Sequence, residues 1–135
     1  MRERFKGDDR YHFDIRPHGL WIEDGWFRLG NYETDGASIL SEKEPRIMCM
    51  FRDYRFQIRS TIDLALMNIE GAEYTLLPSM IKGGFITSFS NFWCQFHPGS
   101  IPDPDSAKTL IFEGMEKTHE MIWNCYPTAV AWRLK

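Results

Sequence analysis

No stretch of this chain is long and apolar enough to cross a membrane as a helix, and no block of like charge marks a surface for nucleic acid or anionic lipid. Lys and Arg number 16 against 19 Asp and Glu, a net charge of -3, so polyanion binding is excluded as a first reading. Cysteine is scarce: Cys49, Cys94 and Cys125 are odd in number, far apart and form no CxxC pair. That argues against a disulfide framework and for buried free thiols in a reducing compartment, with the cytoplasm favoured. The start, Met1 to Arg10, is too charged for a signal peptide and lacks periodicity, so it reads as a flexible N-terminus ahead of a single domain over residues 11–135. Also missing are a Gly-x-Ser-x-Gly elbow, a P-loop, any Gly-rich phosphate cradle and a Ser/His/Asp spacing. No metal site is expected, because strand alternation sends Cys94 and His97 to opposite faces and no second ligand pair is evident.

What is abundant is aromatic side chain: five Trp and ten Phe, which read first as core filling, with ring edges seeking hydrogen bonds. Tyr11 to Ile15 is a short β-prone stretch closed by the turn Arg16-Pro17-His18-Gly19. Leu20-Trp21-Ile22 and Trp26-Phe27-Arg28-Leu29 flank Asp24-Gly25 and predict a hairpin, or a loop followed by one strand. The polar run from Asn31 to Pro45 predicts a surface loop, and Ile47 to Ile58 has strand character.

The clearest signal follows. Leu64-Ala65-Leu66-Met67 is short and continuously apolar, as a strand buried on both faces should be. Past Gly71 the period changes to helical, with Tyr74, Leu77, Met80 and Ile81 on one face and Gly83-Gly84 as the stop. Pro78 inside it predicts a kink or a first turn that is not α-helical. Strand character returns over Ile86 to Phe96, and Asp103-Pro104-Asp105-Ser106 opens an amphipathic helix whose spacing continues to Ile122. A strand over Ala129 to Leu134 ends the chain, and the order of elements predicts an α/β fold.

Chemistry concentrates at Asn68-Ile69-Glu70-Gly71-Ala72-Glu73, a polar corner between strand and helix, and at Gln95 and His97 on the next strong strand. If the two strands are parallel neighbours joined by the helix, these residues line one crevice beyond their carboxyl ends. The bland alternative makes Asn68 a helix cap, Glu70 a first-turn acid against the helix dipole and His97 a turn residue.

The run Ile62 to Tyr74, with Leu76-Leu77-Pro78, Gly83-Gly84 and Gln95-Phe96-His97, resembles the C-terminal half of FkbM-type and related methyltransferase-like domains. The resemblance is close over residues 62–97 and reaches residue 135 by element order. It implies a partial Rossmann-like, class I methyltransferase-like mixed sheet with flanking helices, lacking the first strand-helix unit. It further implies S-adenosylmethionine as cofactor and a small-molecule or glycan oxygen or nitrogen as methyl acceptor. By matching motif positions it makes Asn68, Glu70 and His97 the catalytic candidates, and Asn68 with Asp14 of Tyr11-His12-Phe13-Asp14 the cofactor-binding ones. Two departures stand out: the Gly-rich turn is missing, and Asn68 and Gln95 are amides where the family has Asp and Glu. An amide takes no proton as a base and carries no charge for a sulfonium, so a non-catalytic binding or interaction module is the rival reading. Loss of the first strand-helix unit would also expose a sheet edge, through which self-association is expected.

Overall fold

A computed structural model describes residue 16 and residues 18–31, 36–125 and 128–135. The expected flexible end at residues 1–10 and the β-prone stretch with Asp14 lie outside the described residues. The fold is mixed α/β, built on two mixed sheets with flanking helices.

The smaller sheet has three strands, β1 (Gly19–Trp21), β2 (Gly25–Gly30) and β3 (Arg46–Asp53), in the order β1-β3-β2. β1 runs parallel to β3 and β2 antiparallel to it, so the expected hairpin across Asp24-Gly25 does not form and β3 lies between its two arms. Asp24 is spent elsewhere: its Oδ1 accepts the backbone N–H of Asp53 at 2.7 Å, which ties the β1–β2 connection to the end of β3. There the chain turns into the short helix α1 (Tyr54–Gln57), where strand was expected, because Asp53 caps it through Arg55 N and also grips the Arg55 guanidinium.

The larger sheet has the order β4-β5-β7-β6, from β4 (Ile62–Met67), β5 (Phe89–Gln95), β6 (His119–Cys125) and β7 (Ala129–Leu134). β4 and β5 are parallel and are joined through helix α2 (Glu73–Lys82), as the crevice argument requires. β7 pairs antiparallel with both β5 and β6. Pro78 sits in the interior of α2, and the expected departure from α-geometry is at the helix start, where the N–H groups of Tyr74 and Thr75 donate to the carbonyls three residues back, Gly71 and Ala72. Helix α3 (Pro104–Glu116), capped by Asp103, ends sooner than its spacing predicts; His119 to Ile122, read as helix, belong to strand β6. Met121 and Ile122 satisfy helical spacing by coincidence, and pairing of β6 with β7 decides their conformation.

One face of the larger sheet, carrying Met67, Phe92, Cys94, Phe96, Val130 and Trp132, is covered by α2 and α3 and forms the core. The inner face of the smaller sheet closes against the same core through Trp21, with Tyr54 and Ile58 beside it. The opposite face of the larger sheet is open, which corrects the expectation that the strand at 62–67 is buried on both sides: Leu64 is 57% and Leu66 71% exposed. All three cysteines are free, but only Cys94 is buried. Among the described residues no helix is long and apolar enough to cross a membrane.

Candidate functional site

The corner after β4 is built from unusual backbone. Glu70 has φ 52 and Gly71 φ 99, two consecutive left-handed residues that reverse the chain before α2 begins. Such a conformation at a residue with a side chain costs about 1–3 kcal/mol and persists only where the surroundings fix it. Ser38 helps to fix it: its hydroxyl donates to the Glu70 carbonyl at 2.8 Å and accepts the N–H of Leu40 at 3.1 Å. Ser38 is itself held by paired backbone bonds to Gly30. Gly30 also lets the following loop fold back on it, because a Cβ there would stand 2.1 Å from the carbonyl oxygen of Ser41.

Behind the corner lies Glu73, whose side chain is fully exclude from solvent although it occupies the first turn of a helix. One carboxylate oxygen accepts the N–H of Gly71 at 2.9 Å. The other accepts the backbone N–H of His97 at 2.7 Å and stands 3.1 Å from His97 Nδ1. The second ring nitrogen of His97, Nε2, stands 3.0 Å from Glu70 Oε1. His97 is thus wedged between two carboxylates, one deep in the core and one at the surface. Where Nδ1–H donates to Glu73, Nε2 is the ring nitrogen turned towards Glu70.

Glu70 faces a cleft of about 480 Å³ whose lining includes Asn31, Ser38, Leu40, Lys43 and Gly99. The cleft stands beyond the carboxyl ends of β4 and β5, where open α/β sheets bind ligands. Its walls offer hydroxyl, amide, ammonium and carboxylate groups and one large apolar side chain, so it suits a polar, hydroxyl- or amine-bearing ligand.

The sequence-predicted residues separate. Glu70 and His97 meet directly, while Asn68 is exposed and lines a different cavity of about 140 Å³ among Leu20, Trp21, Leu29 and Phe51. Asn68 is not the helix cap either; Ala72 is the N-cap of α2 and makes no side-chain cap bond. Gln95 stays on the open face of the larger sheet, in register with Ala129, because alternation turns it away from the core. Asp14 lies outside the described residues. Glu73 and Ser38 were not singled out, since an acid in a helical first turn ordinarily reads as solvated. Only the fold shows that His97, 24 residues on, needs Glu73.

Neighbouring groups do not compete for the chemistry. Burial, then the charge of Glu73, pushes the Cys94 thiol well above its usual range, so it is no nucleophile. The same two causes push the Tyr74 phenol up to about 12. Burial lowers Lys108, whose ammonium lies 5.0 Å from the centre of the Phe96 ring. Among the described residues no group of three or more His, Cys, Asp or Glu is arranged to hold a metal ion. No protein-family model matches the chain, and no match is found among curated proteins or solved structures.

Proposed function

We propose that this chain is a methyltransferase-like α/β domain in which Glu70, His97 and Glu73 handle the proton of a small-molecule or glycan acceptor bound in the cleft. The observation that carries this reading is the continuous line of contacts from buried Glu73 through His97 to Glu70 at the cleft wall. An acceptor hydroxyl or amine in the cleft meets Glu70 first. The proton it gives up is taken by the Glu70–His97 pair, and Glu73 holds the ring in the tautomer that permits this. Of the three, only Glu70 lines the cleft, so it is the group placed to contact the acceptor, and His97 and Glu73 act through it.

S-adenosylmethionine is the methyl donor that goes with this reading. The described residues alone do not fit it. The Asn68 cavity, at about 140 Å³, is well below the roughly 300 Å³ at which ligand pockets begin, and the chain has no Gly-rich turn to approach an adenosyl group. The reading therefore requires Asp14 to contribute to the donor site. A second reading, a non-catalytic binding module, is favoured by one observation: Asn68, the amide in place of an acid, is separated from the relay.

Calorimetric titration with S-adenosylmethionine tests the choice. The enzyme reading expects micromolar binding, weakened at least about tenfold, or about 1.4 kcal/mol, in Asp14→Ala and Asn68→Ala. No heat at millimolar donor overturns it and leaves the binding module.

A further inference from the structure

The outer face of the smaller sheet gathers sulfur and imidazole that the proposed reaction does not use. Met48 and Met50 stand two apart on the central strand β3, so alternation turns both thioethers to the same side. That side looks away from the core: Met48 is 50% and Trp26 62% exposed, whereas Trp21, on the opposite face, is buried. Trp26 on β2 is the direct partner of Met50. On the other flank Gly19 pairs with Phe51, which brings His18, one residue earlier, alongside Met50 as well. His18, Trp26, Met48 and Met50 line one cavity of about 610 Å³, which shares no lining residue with the cleft at Glu70. The decisive atom is His18 Nε2, which is shut off from solvent and has no hydrogen-bond partner. A buried polar group left unsatisfied costs about 1–3 kcal/mol, so this nitrogen calls for a partner that the protein itself does not supply.

We propose that this cavity binds a soft monovalent metal ion, copper(I), through His18 Nε2 and the sulfurs of Met48 and Met50, with the Trp26 ring as its cover. The donor chemistry selects the ion. Thioethers are neutral, polarisable ligands that favour copper(I), and imidazole suits copper equally. Among the described residues the cavity wall carries no carboxylate, so magnesium, calcium and manganese find no oxygen ligand of the kind they require. Cys49 lies between the two methionines in sequence, and alternation turns its thiol to the other face, so zinc lacks a thiolate there. A single positive charge also suits the surroundings. The Arg52 guanidinium on the wall is paired with Asp24 at 3.5 Å, and the face of an indole attracts a cation. Each methionine turns about three side-chain bonds, which lets both thioethers close on an ion held by the dry imidazole nitrogen.

Silver(I), which shares the ligand preference of copper(I) without its redox chemistry, is the probe. It is titrated into the full chain carrying isotope-labelled methionine methyls and followed by NMR. Cys49→Ser and Cys125→Ser form the background, which removes the two thiols that are not buried. Saturation is expected at one ion per chain, with the Met48 and Met50 methyl signals shifted and that of Met121, an exposed methionine on β6, unmoved. Even a group that only supports a metal ligand is worth about 10–100-fold in affinity, so His18→Asn, Met48→Leu and Met50→Leu should each weaken binding at least about tenfold. The leucines conserve volume, and an unchanged circular dichroism spectrum verifies that the fold is kept. Copper(I) added under anaerobic conditions is expected to shift the same two methyl signals. Met48 and Met50 signals that stay unmoved in excess silver, or an affinity that the three substitutions leave unchanged, overturn the proposal.

Discussion

Single residues at the corner carry unequal burdens. Glu73 is a buried acid whose two oxygens take three contacts, so Glu73→Ala strands the N–H groups of Gly71 and His97 together with the imidazole. Removing one partner of such a buried pair costs about 3–5 kcal/mol, and urea unfolding should show a loss of that size. Gly71, at φ 99, is the residue whose conformation a side chain resists; Gly71→Ala is expected to cost about 1–3 kcal/mol by the same measurement. His119 gives a pH-dependent case remote from the site. Its Nε2 stands 3.1 Å from the carbonyl oxygen of Phe89 and its Nδ1 2.8 Å from the hydroxyl of Thr118. Burial lowers its pKa below 6.5, outweighing the bond to Phe89. The unfolded chain then takes up a proton before the folded one does. Its contribution to stability is complete above about pH 6.5 and falls as pH drops towards the lowered folded value. The His119→Gln variant is expected to show a weaker fall in urea midpoint across that range.

At the scale of elements, the parallel pair β4 and β5 and the helix between them were legible in the sequence, because an apolar run, a glycine corner and a change of period all agree there. The beginning of α3 was legible through its Asp103 cap, and its end was not. Met121 and Ile122 continue the helical spacing, and only the antiparallel partner β7 makes their segment a strand. The hairpin at Asp24-Gly25 failed for a similar reason: local turn chemistry competes with β3, which pairs with both arms. Packing between elements can be tested at Gly114. A Cβ there would stand 2.8 Å from Ile81 Cγ2, so the contact of α3 with α2 has no room for a side chain. Gly114→Val should cost about 1–3 kcal/mol in thermal or urea unfolding through overpacking.

For the molecule as a whole, the site exists because three distant segments converge: the loop around Ser38, the corner at Glu70 to Glu73, and the end of β5 at His97. Glu70 and His97 were readable as candidates because both sit just beyond apolar strands. Ser38 and Glu73 were not, since their roles depend on contacts 32 and 24 residues away in sequence. Among the described residues the same topology leaves one face of the larger sheet open, with Leu64 and Leu66 exposed on it. The relay itself is most directly examined by long-range proton–nitrogen correlation NMR of the His97 ring. A ring held as described carries a proton on Nδ1 in the wild type, and that proton loses its protection from exchange in Glu73→Gln. A wild-type His97 whose Nδ1 is unprotonated, or whose spectrum is unmoved by Glu73→Gln, would contradict the relay.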